Sequence, residues 1–262
     1  MKIYVGMIAY NASPVIEAAI KSVYDYVDEI IVVDGSAYGA STDDTAELAQ
    51  SVGSKVKVVK GKFCNPDGSW DEKSQRQTYM NLMERSNGNW GILQDADEVF
   101  SRDNIERFIS HIKNVNSNTK VLSHRFIHFW KDIKHTIHGG WRDLPRNVSA
   151  FRLTKDMMMT SGLAVGEKPD ESITGEVIDD VICHHYGHAM KFERRRFKVQ
   201  EYFKAGLFYD HSKYSGTEEE KLQQFLDEWK INEYEADLPE VKVYEGTHPE
   251  SIVHLIGSYF LV

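Results

Sequence analysis

The sequence is short of cysteine, of long apolar runs and of positive charge, and each shortage removes a class of protein. Only two cysteines occur in 262 residues, Cys64 and Cys183, in neither a CxxC nor a finger-type spacing. A disulfide framework and a structural zinc site therefore do not fit, and two thiols in a reducing cytosol are the expected state. No apolar run approaches the ~20 residues that span a bilayer. Residues 1–10 are too soon interrupted by polar side chains to act as a secretory signal. The expected location is cytoplasmic. The formal net charge is -9, which disfavours nucleic acid, a partner that needs a concentrated basic face. There is no internal repeat, low-complexity segment or inter-domain linker, and no GxGxxG, Walker loop or nucleophile elbow.

What remains is an ordinary soluble composition, 41% hydrophobic, enough for one large α/β domain to bury a core without disulfides. Residues 2–9, 29–33, 55–59 and 90–93 read as buried strands, short and rich in Val and Ile. Helical segments alternate with them: one opened by Ser13-Pro14, one from Thr42 through Gln50, and one over 71–86 with Tyr79, Leu82 and Met83 on one face. The alternation predicts a mostly parallel central sheet with helices on both faces. Ligands of such sheets bind beyond the carboxyl ends of the strands, where Asp34 and Asp95 both fall. Further on, 120–129 and 147–153 read as strands, 191–209 and 217–230 as helices, and 249–262 as a short apolar helix.

The acidic cluster Asp95-Ala96-Asp97-Glu98 directly follows a buried strand. In an extended segment residues two apart point the same way, so Asp95 and Asp97 are expected to address one cation together. Mg²⁺ and Mn²⁺ take carboxylates and phosphate oxygens. The plain alternative is a solvated acidic turn capping the next helix. Asp34, before Gly35-Ser36, suits a base or ribose over the rim, or simply ends a strand in a turn. His184, His185 and His188 can each ligate a metal or touch phosphate. The spacing of His184 and His188 suits a two-His site on a helix, but Gly187 argues against a helix there. Lys191, Arg194, Arg195, Arg196 and Lys198 can hold a diphosphate, or form a solvated helix face. Trp130 and Trp141 can stack on a sugar, or pack within a loop.

Together these residues resemble family 2 of the inverting glycosyltransferases with the GT-A fold. MIAYN (7–11) follows the first strand. VVDGS (32–36) with DDT (43–45) is similar to that family's VVDxGSxDxT stretch, lengthened here by Ala37–Ser41, which can reshape the nucleotide pocket. KSQRQTYMNLMERSNGNWGILQDADE resembles the family's long helix and DxD-bearing strand, with Arg76 carried over from the usual Ala-Arg-Asn. His185-Tyr186-Gly187, followed by Lys191 and Arg194 or Arg195, resembles the subgroup of bacterial lipopolysaccharide-core glucosyltransferases. That subgroup's His-Glu appears as Gly166-Glu167, so its His is missing.

The resemblance implies a GT-A catalytic domain over 1–200, Rossmann-like, with a C-terminal helical extension over 201–262 packed on it. It implies transfer of a sugar from a nucleotide-diphosphate sugar, a UDP-sugar favoured, to an acceptor hydroxyl with inversion. Asp97, Asp95 and His185 would hold Mn²⁺ or Mg²⁺. Ala9, Tyr10, Asn11, Asp34, Arg76, Gln94, Asp95, Ala96, Lys191 and Arg195 would bind the donor. Trp130 and Trp141 would meet the acceptor, and Glu167, or else Asp170, would be the base. The acceptor is a glycan, a lipid-linked group or another hydroxyl compound. The apolar tail (Ile252, Val253, Leu255, Ile256, Tyr259, Phe260, Leu261) offers a homodimer contact, at most a peripheral membrane contact, or packing on its own domain. Two rival functions stay open: a sugar nucleotidyltransferase, against which the absence of a basic residue in Tyr10-Asn11-Ala12-Ser13 argues, and an inactive GT-A-like binding protein.

Overall fold

The computed structural model of the protein describes residues 1–86, 88–189, 192–204, 211–235, 240–256 and 260, with the backbone alone at 141, 192–194, 211 and 229–235. The first part alternates as its sequence predicts: β1 (Ile3–Ala9), α1 (Ile16–Lys21), β2 (Glu29–Ser36), α2 (Thr45–Ser51), β3 (Val56–Lys62), α3 (Glu72–Leu82) and β4 (Trp90–Asp95). Then follow β5 (Glu98–Phe100), α4 (Arg102–Asn114), β6 (Val121–Trp130), β7 (His135–Ile137), β8 (Ala150–Arg152), β9 (Met158–Ser161), β10 (Ala164–Gly166), β11 (Glu176–His188), α5 (Phe192–Lys204), α6 (Glu218–Glu235) and β12 (Val241–Val243).

The main sheet runs β12-β7-β6-β8-β4-β1-β2-β3, with β11 pairing β6 and β5. β3, β2, β1 and β4 are parallel, as are β6 and β11, so the central sheet is mostly parallel. β8 joins the two parallel groups in antiparallel fashion. The alternation within β1 divides the core. Ile3, Val5 and Met7 pack with α1 and α4 on one face, and Tyr4 and Ile8 with α3 on the other. Gly6 is required there: a Cβ would lie 2.2 Å from the Tyr79 ring. α3 ends earlier than expected, because Met83 is already extended.

The C-terminal part departs from a purely helical extension. The expected division at residue 200 falls inside α5, and β12 extends the main sheet through β7. α5 and α6 form a small core of Val199, Phe203, Phe225 and Leu226. Ile252 and Phe260 of the apolar tail are buried in the principal core, whereas Val253 is exposed; Tyr259 and Leu261 lie outside the described residues. Among the described residues no helix is long and apolar enough to cross a membrane.

Candidate active site

The carboxyl ends of β2, β1 and β4 form one rim. In register, Ala9 faces Asp34 on one side of β1, while Ile8 faces Asp95 on the other. The two aspartates thus flank the end of β1, two strand spacings or about 10 Å apart.

On the Asp34 side the chain closes on itself. Asp34 is fully buried and accepts from the Ser41 amide at 3.1 Å and from the Ser41 hydroxyl. The inserted residues make this possible, since Ser36 and Gly39 exchange backbone hydrogen bonds and turn the chain back. Asn11 takes a left-handed conformation, φ 48°, which Asn tolerates well. Its amide donates to Ser41 Oγ at 2.8 Å and its Oδ1 accepts from the Thr42 amide at 2.9 Å. The amides of Ala12 and Ser13 donate to Thr45 and Asp43. Ala9, Tyr10, Asn11 and Asp34 are therefore brought together, with the Asp34 carboxylate already hydrogen-bonded inside the protein.

On the β4 side the expected pairing of Asp95 with Asp97 gives way to a turn. Residues 96 and 97 leave the strand, the Asp95 amide donates to Glu98 Oε2 at 2.9 Å, and strand alternation no longer applies. The two carboxylates take different partners. Asp95 lies 2.8 Å from an Arg76 nitrogen and 3.3 Å from Arg146. Arg146 also meets both oxygens of buried Glu98 at 2.6 Å. Burial raises the Asp95 carboxyl, but Arg76 and Arg146 outweigh it and hold it below the usual range. Burial pushes Glu98 up against the pull of Arg146. Gln94 is turned inward, its amide donating to Glu98 and Ala19 carbonyls, and Ala96 is buried beside it.

Asp97 instead faces β11 and α5. β11 sets His185 opposite Glu98 on β5 and opposite His128 on β6, and the Tyr186 amide donates to the Asp97 carbonyl at 2.9 Å. This strand register places His185 Nε2 3.6 Å from Asp97 Oδ1, and His185 Nδ1 3.0 Å from His128 Nδ1. Lys198 of α5 donates to Asp97 Oδ2 at 2.9 Å. Burial again raises Asp97, and Lys198 and His185 overcome it, leaving the carboxyl well below its ordinary value. Burial holds His185 low despite Asp97, so the imidazole is the neutral form near pH 7. Gly187 is the residue that permits this meeting: a Cβ would stand 2.7 Å from the His185 ring and 2.8 Å from Asp97 Oδ2.

Other predicted residues distribute as follows. Arg76 is buried and bound to Glu72 as well as Asp95. Arg195 is buried on α5, Lys191 lies outside the described residues, and the Arg194 and Trp141 side chains do too. Trp130 ends β6 beside His188, ring centroids 5.5 Å apart, with a buried indole N–H that has no hydrogen-bond partner among the described residues. Glu167 and Asp170 are not brought to the rim. Glu167 is bound by Lys120 and Thr154, just before β6 and just after β8, where the end of β8 pairs with the start of β4 and with the start of β6. That is the opposite edge of the sheet, because β9 and β10 fold back along α3. Asp170 sits in the exposed turn just beyond, where Lys168 bridges Glu171.

Sequence reasoning missed Arg146, His128 and Ser41. Arg146 and Ser41 carry no local signal. His128 stands four residues after His124 in an alternating strand, which places both on one face.

Residues 4–166 match the family model described as Glycosyl transferase family 2. The chain belongs to glycosyl transferase family 2. The match spans the rim up to β10, and β11 and α5 lie beyond it. No curated protein sequence matches the chain. Among solved structures, S. aureus TarS 1-349 is similar over 90% of this chain and 73% of its own, at 14% identity and a TM-score of 0.48. Against the longer S. aureus TarS chain the identity is 13%, the TM-score 0.47, and 44% of that chain is covered. Glucosyl-3-phosphoglycerate synthase from Mycobacterium tuberculosis, in complex with Mn²⁺, UDP and glucosyl-3-phosphoglycerate, is similar over 80% of this chain and 82% of its own, at 14% identity and a TM-score of 0.45.

Proposed function

We propose that this family 2 member moves a sugar from a nucleotide-diphosphate sugar, with a UDP-sugar favoured, to an acceptor hydroxyl with inversion and metal assistance. The observation that carries the reading is the convergence of Asp97 and neutral His185 at the strand-end rim, 3.6 Å apart. Two adjacent ligands on an octahedral ion at about 2.1 Å stand about 3 Å apart, so this donor pair fits Mn²⁺ or Mg²⁺ after a small adjustment. With the His185 proton on Nδ1, donated to His128, Nε2 offers a bare lone pair. Among the described residues no group of three such donors forms; the remaining ligands would be donor diphosphate oxygens and water. When bound, such an ion neutralises charge on the departing diphosphate.

The chain's own residues then divide the work. Ala9, Tyr10, Asn11 and the loop closed on Asp34 receive the nucleoside. Arg76 and Arg146 fix Asp95 beside the diphosphate position, and buried Arg195 adds positive charge from α5, with Lys191 in the same basic segment. Trp130 faces the acceptor side with its unpartnered N–H, and Trp141 is assigned there from sequence alone. Direct displacement inverts the anomeric centre and releases the acceptor proton to a base. Glu167 and Asp170 stand at the far edge and are left out of that role. The His-Tyr-Gly followed by a basic helix supports the lipopolysaccharide-core glucosyltransferase subgroup as the nearest one.

The test is a thermal-shift screen with UDP-, GDP-, ADP- and dTDP-sugars, each with Mn²⁺ or EDTA, on wild type and Asp97→Ala. Selective native-state binding raises the melting temperature by mass action. A rise for one nucleotide class, strongest with Mn²⁺ and lost in the variant, is expected. No response to any donor would sink the assignment.

A further inference from the structure

Lys198 does more than cover a helix face. Its ammonium donates to Asp97 Oδ2 at 2.9 Å and to the Gly187 carbonyl at 3.3 Å, and lies 5.6 Å from the centre of the Tyr202 ring. Carboxylate, carbonyl and ring face together make a cation seat. It is enclosed, the Asp97 and Lys198 side chains being 18% and 25% exposed. Its walls require Gly187, whose missing side chain leaves room for Asp97 and His185.

The seat already has cations of its own. Arg76, Arg146 and Lys198 are each joined by an ion pair to one or more of Asp95, Asp97 and Glu98. A divalent ion on Asp97 would add two positive charges within a few ångströms of the ammonium, in a partly desolvated site where like charges repel strongly. Lys198 already takes one oxygen of Asp97, so an ion entering at the other, beside His185, would share the carboxylate with an ammonium and gain less from it, whereas losing Lys198 leaves an anionic seat of ordinary divalent type.

We propose that Lys198 and a divalent cation compete for the Asp97 carboxylate, so that Lys198 sets how strongly the protein binds metal. This rests on the reading of Asp97 as the ion-holding residue. A lysine supplied from α5 keeps Asp97 neutralised when no metal is present, and metal binding loosens that lysine from the rim.

The experiment is a titration with Mn²⁺ alone, without donor, following the paramagnetic resonance signal of the free ion. Wild type, Lys198→Met, Lys198→Arg and Asp97→Asn are compared, with circular dichroism to verify folding. Lys198→Met is expected to bind Mn²⁺ about tenfold tighter or more, Lys198→Arg about as weakly as wild type, and Asp97→Asn to lose the site. Equal or weaker binding by folded Lys198→Met, no binding by any protein, or unchanged affinity in Asp97→Asn would overturn the proposal. If Lys198→Met does not fold, acetylation footprinting of the wild type decides. Saturating Mn²⁺ should raise the labelling of Lys198 about threefold or more relative to exposed lysines once its ion pair loosens, and an unchanged rate would overturn the competition. The donor screen separates the two readings. Donor binding without the Mn²⁺ difference removes only this inference, and the Mn²⁺ difference without any donor binding removes only the transferase assignment.

Discussion

On one side of the rim Asp34 is closed by Ser41, seven residues away, and Asn11, Thr42, Asp43 and Thr45 complete a patch of short hydrogen bonds. On the other side Asp97 meets Lys198, 101 residues on, and Asp95 meets Arg146, 51 residues on. The first side is a loop whose carboxylates and hydroxyls are held by amides and hydroxyls, partly from the loop itself and partly from Asn11, Ala12 and Ser13. The second is an assembly of charges held by register between β5, β6 and β11 and by a helix arriving from outside. Histidine sharpens the contrast: all eleven lie at residue 111 or later, none on the Asp34 side.

Acid should separate the two sides most. Burial holds His124, His128 and His184 down to about 3, 3 and 4, against an ordinary 6.5. Below pH 6.5 the unfolded chain takes up protons that the folded one refuses. Stability from these residues is therefore fully present above 6.5 and is lost as pH falls towards 4, by up to about 1.4 kcal/mol per pH unit for each histidine. Urea unfolding across this range should show the loss, and His124→Leu should reduce the slope by up to about 1.4 kcal/mol per pH unit. A flat profile would contradict the buried, neutral histidines.

Arg146→Ala comes next in size. It leaves Glu98 and Asp95 without a shared, buried partner, and removing one member of such a group costs about 3–5 kcal/mol. Urea denaturation measures it, and a change below about 1 kcal/mol would show that the charges there are solvated. Asp97→Ala should act on activity as well as on folding, since it also leaves Lys198 without its carboxylate. Losing the charge-stabilising centre of the rim should lower turnover of the donor about 100- to 1000-fold, read as nucleotide release.

Gly187→Ala tests how tightly the charged side is packed. The added Cβ would meet Asp97 and His185 at under 3 Å, and overpacking of this kind costs about 1–3 kcal/mol. The melting temperature and donor turnover should both fall. Ser41→Ala should have the smallest effect. It removes the hydroxyl between Asn11 and Asp34 while the Ser41 amide still donates to Asp34, a loss of about 1 kcal/mol in unfolding experiments. A larger loss than for Arg146→Ala would invert the comparison.

Legibility followed the same division. β1 to β4 and their helices were readable because each strand is a short apolar run bounded by turn or capping residues, and all but β4 pair with the strand before or after them in sequence. β11 was not, because Glu176–His188 mixes acidic, apolar and histidine residues without a clean period. The Asp95–Asp97 pairing was misread because strand alternation was carried one residue too far. The Asp95 amide turns to Glu98, and the turn at 96–97 aims the second carboxylate at another partner. Glu167 was placed by motif order alone, and the β9–β10 hairpin carries it to the opposite edge of the sheet.

The sequence by itself determined the parallel β3-β2-β1-β4 unit, the rim on which Asp34 and Asp95 stand, and the family, since local apolar periodicity and short motifs suffice for these. Only the tertiary structure decided which charges meet. Lys198, Arg146, His128 and His185 reach the rim through strand register and helix packing across a hundred residues, and a carboxylate's partner depends on distance in space rather than along the chain.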